Sequence, residues 1–324
     1  MNRWHPSPQD AGNQVGVTMK VFVTGATGFV GQRLVRRLLL RGDQVVALTR
    51  NRRSMAQTQQ SDRLSIVEGD PSKPGLWQKQ VAGCDAVVTL AGEPVFGERW
   101  SSSFKDRLIE SRVESAKQMC EALAPLGPQE RPSVWIAASA IGYYGSRGDE
   151  AIGEAALAGD DFLARLCVRW ETETRAAESL GVRQVFLRIG IVLGDGGGML
   201  AKMVPPFNAF VGGPIGSGRQ FVSWIHIDDV IGLIEWSLER STLRGAINVT
   251  APQPVRMSEL AKTLGEVLHR PSKMAVPELA LRVAVGEGAA VILASQRVLP
   301  ERALAEGYAF KHPELRAALR SILL

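Results

Sequence analysis

Cysteine is scarce in this chain of 324 residues, which contains only Cys84, Cys120 and Cys167. Because their number is odd and no two of them form a CxxC pair, the sequence argues against a disulfide framework and a zinc site, and it favours a reducing, cytoplasmic compartment. No apolar stretch reaches about 18 uninterrupted residues, so no membrane-spanning helix is expected. Residues 1–18 are polar and lack the apolar centre of a signal peptide, and we interpret them as a disordered leader.

A large excess of charge of one sign is also lacking. Lysine and arginine total 38 and aspartate and glutamate total 33, so the formal net charge is 38 − 33 = +5. This positive excess is small, and the sequence contains no long run of basic residues. Both observations favour an anionic cofactor over nucleic acid as the ligand of the basic residues. With 45% hydrophobic and 22% charged residues, the composition is that of a globular protein and excludes wholesale disorder.

The first part of the chain alternates short apolar runs with helical periodicity. Six apolar runs predict strands, at residues 21–23, 45–48, 64–67, 86–90, 134–138 and 185–187. Apolar residues recur at helical spacing in three segments between them, at 29–39, 104–123 and 162–180. Wholly apolar strands that alternate with helices are typical of a parallel, doubly wound α/β sheet.

After residue 190 the alternation becomes less regular. Two short stretches, at 225–227 and 246–249, flank a helical stretch at 230–238, and we expect both of them to rejoin the sheet. Short helical segments follow, broken by Pro252, Pro271, Pro277, Pro300 and Pro313. The sequence thus predicts a smaller, mostly helical C-terminal cap that binds the substrate. The predicted division is residues 19–190 plus about 222–250 for the α/β domain, and about 191–221 plus 251–324 for the cap.

A glycine-rich turn, GATGFVG at residues 25–31, joins the first strand to the first helix. In such a turn Gly25 allows the tight bend, Gly28 lets the backbone approach a pyrophosphate, and Gly31 lets the helix pack close to the strand. The free N–H groups and the dipole at the start of the helix then bind phosphates. Because the motif follows an apolar strand and opens an amphipathic helix, it predicts a Rossmann-type dinucleotide site.

The end of the second strand indicates which dinucleotide binds. NAD sites usually have a carboxylate about 20 residues after the glycine turn, but here Thr49 is followed by Arg50. A guanidinium pairs with the 2′-phosphate that a carboxylate would repel, so the sequence favours NADP(H) over NAD(H), the alternative being a solvated basic loop. We expect Asp70, after the third strand, to meet the adenine amino group. Leu90-Ala91-Gly92, after the fourth strand, lies where the sheet opens toward the cofactor.

These motifs resemble the extended short-chain dehydrogenase/reductase superfamily, and more closely its atypical branch of YfcH-like epimerase family proteins. The resemblance covers Met19 to the C-terminus. Its marks are LAGEP at 90–94, SRVE at 111–114, SAIGYYG at 139–145, GDDFL at 159–163, GGPIGSG at 212–218 and QRVLP at 296–300. The motifs are specific together, although none of them is specific singly.

The resemblance implies an NADP(H) cofactor and a small-molecule substrate that it does not identify. The implied cofactor contacts are Gly25, Thr27, Gly28, Phe29, Val30, Gly31, Thr49, Arg50, Leu90 and Ala91. Arg112 lies on the long helix where typical members place an Asn near the cofactor, and its guanidinium is expected to reach a phosphate or ribose. The alternative for Arg112 is a surface ion pair with Glu110 or Glu114.

Typical members transfer a proton through the Tyr of a YxxxK pair on one helix, and this chain has no such pair. Its tyrosines are Tyr143, Tyr144 and Tyr308. In the expected helix, Leu163 and Cys167 stand in the Tyr and Lys places. One interpretation is an oxidoreductase or epimerase-like enzyme in which Ser139 and Tyr144 face the nicotinamide and Tyr144 donates the proton. The alternative role for Tyr144 is packing in the substrate pocket, with its hydroxyl hydrogen-bonded inside the protein. The other interpretation is a non-catalytic NADP(H)-binding protein with a regulatory or redox-sensing role.

No metal site is predicted from the histidines and carboxylates. His226 stands near Asp228 and Asp229, but we interpret one aspartate as a helix cap and His226 as a satisfied strand residue. The helices at 104–123 and 162–180 resemble those that pair in dimeric relatives, so monomer and homodimer both stay open. We expect neither nucleic acid nor a membrane as a partner.

Overall fold

Seven parallel strands form one sheet at the centre of the computed structural model, which describes residues 18–55, 61–96 and 98–324. The leader expected at residues 1–18 lies outside the described residues, apart from Thr18. The strands are β1 (Lys20–Thr24), β2 (Gln44–Thr49), β3 (Leu64–Glu68), β4 (Ala86–Thr89), β5 (Val134–Ala140), β6 (Ala151–Ile152), β7 (Arg183–Ile189), β8 (Ile191–Leu193), β9 (Phe221–Val222), β10 (Trp224–His226), β11 (Gly245–Val249), β12 (Val255–Arg256) and β13 (Arg297–Val298). The helices are α1 (Phe29–Arg41), α2 (Ser102–Ile109), α3 (Ser115–Leu123), α4 (Phe162–Arg175), α5 (Leu200–Asn208), α6 (Ile227–Glu239), α7 (Met257–Leu268), α8 (Glu278–Val285), α9 (Ala289–Leu293), α10 (Glu301–Ala305) and α11 (Leu315–Leu323).

The order of the strands across the large sheet is β11, β7, β5, β4, β1, β2, β3. Each pair of neighbours is parallel. The chain winds outward from β1 through β2 and β3, then returns past β1 and winds outward in the other direction from β4. This arrangement confirms the predicted doubly wound Rossmann-type fold and places its reversal point between β1 and β4.

The central strand β1 is buried on both faces. Val21 and Val23 pack into one core cluster with Leu34 of α1, whereas Phe22 packs into a cluster on the opposite face with Met119 of α3. All three β1 residues have no exposed surface. Helices cover both sides of the sheet, and this double burial explains why the strands read as continuous apolar runs.

The predicted helices are found with small internal changes. The first helix, α1, ends at Gly42, whose φ of 97° is the left-handed conformation that glycine adopts without strain. The helix expected at 104–123 consists of α2 and α3 joined by a π-helical turn at Glu110–Glu114. The helix expected at 162–180 consists of α4 and a final 3₁₀ turn at Ala176–Leu180.

One of the two late strand predictions is wrong. The run at 246–249 lies in β11 and pairs with β7, as expected. The run at 225–227 overlaps β10, which pairs instead with β8 in a separate two-stranded sheet. The cause is Gly190, where a Cβ would lie 2.4 Å from the carbonyl oxygen of Ser223. This close backbone contact turns the chain away from the large sheet.

The C-terminal segment has a core of its own. Phe207 of α5, Leu260 of α7 and Leu319 of α11 share one buried cluster, which also includes Val222 and Trp224. The cluster draws on both segments that the sequence assigns to the cap, and the boundaries of the two domains stay a prediction. Within the described ranges, none of the helices is both long and apolar enough to cross a membrane.

Candidate functional site

The carboxyl ends of β1 and β4 lie side by side where the winding of the sheet reverses, the place at which such sheets bind their ligands, and we call this place the crevice. Gly25 follows β1 with a φ of 71°, and a Cβ on it would lie 2.6 Å from the carbonyl carbon of Leu90 and 2.7 Å from the nitrogen of Ala91. The Ala91 N–H donates to the Thr24 hydroxyl at 3.3 Å. Only glycine fits here, because both the backbone angle and the space exclude a side chain.

The glycine turn leaves the start of α1 free of side chains. A Cβ on Gly31 would lie 2.1 Å from the carbonyl oxygen of Gly25, so helix and turn are in backbone contact. Gly28 is the N-cap residue and has no side chain to cap the helix, and no side chain of the described residues accepts a hydrogen bond from the first helical N–H groups. Uncapped N–H groups with a helix dipole behind them form an anion site, and they fit a dinucleotide pyrophosphate.

The other residues of the turn shape the walls of the crevice. The carbonyl oxygen of Thr27 accepts from the Gln32 side chain at 2.7 Å, and Val30 packs against the core. Phe29 lies beneath a glycine-rich loop, residues 194–198, which we call the glycine strap. A Cβ on Gly197 would lie 2.2 Å from the Phe29 ring, so the strap rests directly on the first residue of α1.

The predicted 2′-phosphate site lies at the carboxyl end of β2. Thr49 is buried, and its hydroxyl accepts from the N–H of Asn51 and thereby shapes the turn after the strand. Arg50, Arg52 and Arg53 follow as exposed side chains. Within the described part of the chain none of these three arginines forms an ion pair with a carboxylate, so their guanidinium groups are available to an anion.

Asp70 lies beside this basic turn, one strand further out. Its carboxylate accepts from the N–H of Ser72 at 3.0 Å and from the Ser72 hydroxyl at 2.8 Å. Burial opposes ionisation, but these hydrogen bonds and the charges of Lys73 and Arg50 together lower the pKa of Asp70. The carboxylate is therefore ionised, as the predicted role of partner for an exocyclic amino group requires.

Gly92 and Arg112 meet at the opposite end of the crevice. A Cβ on Gly92 would lie 3.2 Å from the guanidinium carbon of Arg112. The guanidinium donates to the carbonyl oxygens of Glu93 at 3.0 Å and Leu108 at 3.2 Å, and it stacks on Trp170 at 5.4 Å. Arg112 thus brings a positive charge to the end of β4.

The alternative ion pairs for Arg112 are absent among the described residues, since neither Glu110 nor Glu114 lies within ion-pairing distance. Burial lowers the pKa of Arg112, while the charges of Cys167 and Glu93 act in the opposite direction. Cys167 lies in the place of the missing lysine, and burial raises the pKa of its thiol to about 12. A neutral thiol supplies no positive field, so the guanidinium is the cation that the structure offers at this point.

Ser139 lies near the end of β5 in a buried network. Its hydroxyl donates to Glu171 of α4 at 2.8 Å. The Glu171 carboxylate is held by two hydrogen bonds of 2.9 Å from Arg188 of β7, and both charged side chains are 5% exposed. The Ser139 proton is therefore directed into the protein, and the hydroxyl offers only its acceptor lone pairs to other groups.

Tyr144 belongs to the same network and has no exposed surface. Its hydroxyl donates to Asn248 of β11 at 2.7 Å and accepts from Arg188 at 2.9 Å. Burial raises the pKa of Tyr144 to about 12, although the nearby guanidinium acts in the opposite direction. This geometry agrees with packing around a satisfied hydroxyl, and it does not present the phenol to the crevice.

His226, Asp228 and His312 form a cluster whose ligand-type atoms lie within 4.8 Å of one another. Our expectation that an aspartate caps α6 is wrong, because His226 itself is the cap: its Nδ1 accepts from the N–H of Asp228 at 3.0 Å. The rings of His226 and His312 stack with centroids 3.7 Å apart. Stacked rings direct their nitrogen lone pairs side by side, which is a poor arrangement for one shared metal ion. Asp229 instead accepts from the N–H groups of residues 311 and 312.

Another cleft, of about 560 Å³, lies beyond the end of β5 between the loop at 148–149 and the cap. One of its two arginines is neutralised, because Arg256 forms a two-pronged ion pair with Asp149 at 2.8 and 2.6 Å. The Arg256 side chain also stacks on Phe221 at 4.0 Å. The other arginine, Arg219, forms no ion pair with a carboxylate of the described residues, so this cleft also keeps a positive charge.

Comparison with known proteins identifies the family. The model of the NAD dependent epimerase/dehydratase family matches residues 21–250, which is more than half of the chain. The chain belongs to this family. In this member of the family, residues 276–322 also match a domain of unknown function, DUF1731, which covers most of the C-terminal part of the cap.

Relatives of this epimerase-family chain span nearly all of its length. It is 42% identical to the chloroplastic SDR39U1 homologue of Arabidopsis thaliana, an epimerase family protein, over 94% of this chain and 87% of that protein. It is 35% identical to the epimerase family protein YfhF of Bacillus subtilis, over 94% and 98%. The crystal structure of human SDR39U1 isoform 2 with NADPH is 33% identical and superposes with a TM-score of 0.82 over 94% of this chain and 99% of that one. The epimerase-family resemblance seen in the motifs is therefore confirmed.

Proposed function

We propose that this protein is an NADP(H)-dependent oxidoreductase of the epimerase-family type that acts on a small molecule. The observation that carries the proposal is the crevice itself, whose glycine turn fits a pyrophosphate and whose outer end has arginines without carboxylate partners. The human relative that shares the fold was crystallised with NADPH, which supports the same choice of cofactor. The proposal leaves the substrate unnamed.

Each part of the cofactor has residues that would hold it. Gly25, Gly28 and Gly31 would take the pyrophosphate, and Arg50 would take the 2′-phosphate. The ionised Asp70 would accept from the adenine amino group. Leu90, Ala91, Gly92 and Arg112 would line the path toward the nicotinamide. When bound, NADPH supplies a hydride, and the protein's own part is to bind and orient it and to manage the accompanying proton.

A second candidate function is cofactor binding without turnover, as in a regulatory or redox-sensing protein. One observation favours it: the Ser139 and Tyr144 hydroxyls are both bonded inside the protein, and Tyr144 has no exposed surface. Binding of NADPH by itself is expected from either function. Turnover is what separates them.

Calorimetry on the full chain tests the proposal first. We expect NADPH and NADP⁺ to bind with clear heats and NADH to bind much more weakly, because the 2′-phosphate meets free guanidinium groups. Absence of heat with both NADPH and NADP⁺ would refute the cofactor assignment. Loss of NADPH absorbance with a panel of ketones, aldehydes and sugar nucleotides then tests turnover. Tight binding without any turnover would favour the regulatory candidate.

Two further expectations belong to the proposal. All three cysteines are free thiols, which supports a reducing, cytoplasmic location. The partner predictions are a small-molecule substrate and either a monomer or a homodimer formed through the helices at 104–123 and 162–180. Sedimentation of the full chain distinguishes the two states.

A further inference from the structure

The three tyrosines of the chain differ in what their hydroxyl groups contact. Tyr144 is bonded to Asn248 and Arg188, and the Tyr308 hydroxyl lies 3.3 Å from the backbone oxygen of Asp229. Among residues 18–55, 61–96 and 98–324, no group forms a hydrogen bond with the Tyr143 hydroxyl. The Tyr143 side chain is half-buried and its hydroxyl oxygen is not enclosed, so the oxygen reaches solvent. Tyr143 is thus the tyrosine with a phenol available to a ligand.

Tyr143 follows β5 at the carboxyl edge of the sheet, the edge at which β1 and β4 also end. It belongs to the 3₁₀ turn Ile141–Tyr144, which directly follows β5. The preceding residue, Gly142, contacts the start of α4, since a Cβ on it would lie 3.3 Å from the Cβ of Leu163. Leu163 stands where a tyrosine was expected from the resemblance. The turn after β5 therefore brings a phenol close to the start of α4, although the turn and not the helix carries it.

A fixed cation lies against the face of the Tyr143 ring. The guanidinium carbon of Arg188 is 3.4 Å from the ring centroid, and the Tyr144 ring meets it edge-on at 5.2 Å. Glu171 holds Arg188 with two hydrogen bonds, so the guanidinium does not swing away. The Tyr143 ring is therefore held against a fixed positive charge.

We propose that Tyr143 is the proton donor of this site and that the substrate class is a ketone or an aldehyde; the inference rests on the proposed function. The carbonyl carbon accepts a hydride from NADPH, the C=O π bond opens, and the carbonyl oxygen takes the proton from the Tyr143 hydroxyl. The products are an alcohol, NADP⁺ and the Tyr143 phenolate, which regains a proton from water. In the reverse direction the phenolate accepts the proton of the alcohol.

Nitration of tyrosine tests the placement without any need for turnover. Full-length protein is treated with tetranitromethane, with and without saturating NADP⁺, and the nitrated peptides are quantified by mass spectrometry. We expect Tyr143 to be nitrated in the free protein, Tyr144 and Tyr308 to be spared, and NADP⁺ to reduce Tyr143 nitration at least fivefold. Nitration of Tyr143 at an unchanged rate with bound NADP⁺ would remove it from the cofactor site.

A pair of substitutions tests the role of the proton donor. Tyr143→Phe removes a hydroxyl that bonds to no described residue, so folding is expected to be unaffected. With 9,10-phenanthrenequinone as the carbonyl probe, we expect Tyr143→Phe to slow NADPH oxidation by about 100-fold or more while the NADPH dissociation constant stays within threefold. The matched control is Tyr308→Phe, which should leave both quantities within threefold of wild type.

The outcomes separate this inference from the proposed function. An unchanged rate in Tyr143→Phe, with wild-type turnover present, overturns the assignment of Tyr143 alone. Wild-type protein that binds no NADPH, or binds it and reduces neither the quinone nor the panel of carbonyl compounds, overturns the proposed function and the assignment together. Weaker NADPH binding with an unchanged maximal rate would make Tyr143 a binding residue and would also contradict the proposal.

Discussion

Replacing Arg50 with alanine should separate the two nicotinamide cofactors. Arg50 follows β2 at the point where a dinucleotide's adenosine ribose is expected, and its side chain is exposed. No carboxylate of the described residues pairs with it, although its charge helps to lower the pKa of nearby Asp70. Arg50→Ala therefore removes a guanidinium that the protein itself does not use in an ion pair. The substitution should therefore weaken ligand binding and leave the free energy of unfolding nearly unchanged.

The size of the effect follows from the chemistry of the lost pair. A charge-assisted hydrogen bond contributes about 1.5–3 kcal/mol, which corresponds to a loss of about 10-fold to 150-fold in NADPH affinity. NADH has no 2′-phosphate, so its dissociation constant should change by less than about threefold. Asp70 would add to the loss, because its carboxylate would then face the phosphate without the compensating charge. Calorimetry of both cofactors at low and at moderate salt measures these changes.

Arg63→Ala is the matched control for this substitution. Arg63 is also exposed, but it precedes β3 and so lies at the amino edge of the sheet, away from the crevice. Its removal should leave both dissociation constants within about twofold, since a distant exposed charge is largely screened. If Arg50→Ala weakens NADPH and NADH equally, the assignment of Arg50 to the 2′-phosphate is wrong.

Three other substitutions test the site and its support. Glu171→Gln leaves a buried guanidinium without its counter-charge and should lower the free energy of unfolding in urea by about 3–5 kcal/mol, whereas Glu235→Gln, in a partly exposed pair, should cost less than about 1 kcal/mol. Burial lowers the pKa of His226 from 6.5 to about 4, so its contribution to the free energy of unfolding is complete above pH 6.5, and about 3 kcal/mol is lost as the pH falls toward 4. His226→Asn keeps a capping acceptor and should flatten this dependence of unfolding free energy on pH. An unchanged dependence would assign the effect to another group. Gly31→Ala places a Cβ 2.1 Å from the Gly25 oxygen and should abolish the calorimetric heat with NADPH; retained binding would contradict the glycine-turn assignment.

Most of the fold could be predicted because it depends on local patterns. Strands buried on both faces read as continuous apolar runs, and Gly42 marks the end of α1 as a left-handed cap would. The partner of a strand carries no such local signal. The stretch at 225–227 and β11 each place one polar residue among apolar ones, yet the first pairs with β8, beyond the backbone contact at Gly190, and the second pairs with β7. Sequence spacing alone does not reveal that contact.

The cofactor crevice was more predictable than its chemistry. Close backbone packing at this turn requires glycines at the spacing of Gly25, Gly28 and Gly31, so the motif in the sequence directly predicts the geometry of the turn. The buried pair of Glu171 and Arg188 was missed, because residues 17 apart on a helix and a strand show no pattern that marks them as partners. The adjacent Trp170-Glu171, with a carboxylate in an otherwise buried helical position, was the signal that could have indicated it.

The proton donor illustrates why neighbouring residues are hard to separate by sequence. Tyr143 and Tyr144 are adjacent, and a 3₁₀ turn directs successive side chains about 120° apart. One phenol therefore enters the core and the other stays at the surface. Which of the two does so depends on Asn248, more than 100 positions along the chain, which accepts from the Tyr144 hydroxyl.

The glycine strap over Phe29 has a consequence for how the coenzyme is exchanged. The loop belongs to the segment predicted as cap, yet it touches Phe29, the first residue of α1, at the helix end where the pyrophosphate is proposed to bind. Any outward rotation of the cap must peel Gly197 from the aromatic ring and break the hydrogen bond from Arg33 to the Asp195 carbonyl oxygen. Under the proposed function, a cap rotation that admitted the substrate would therefore also uncover the start of α1, where the dinucleotide would bind.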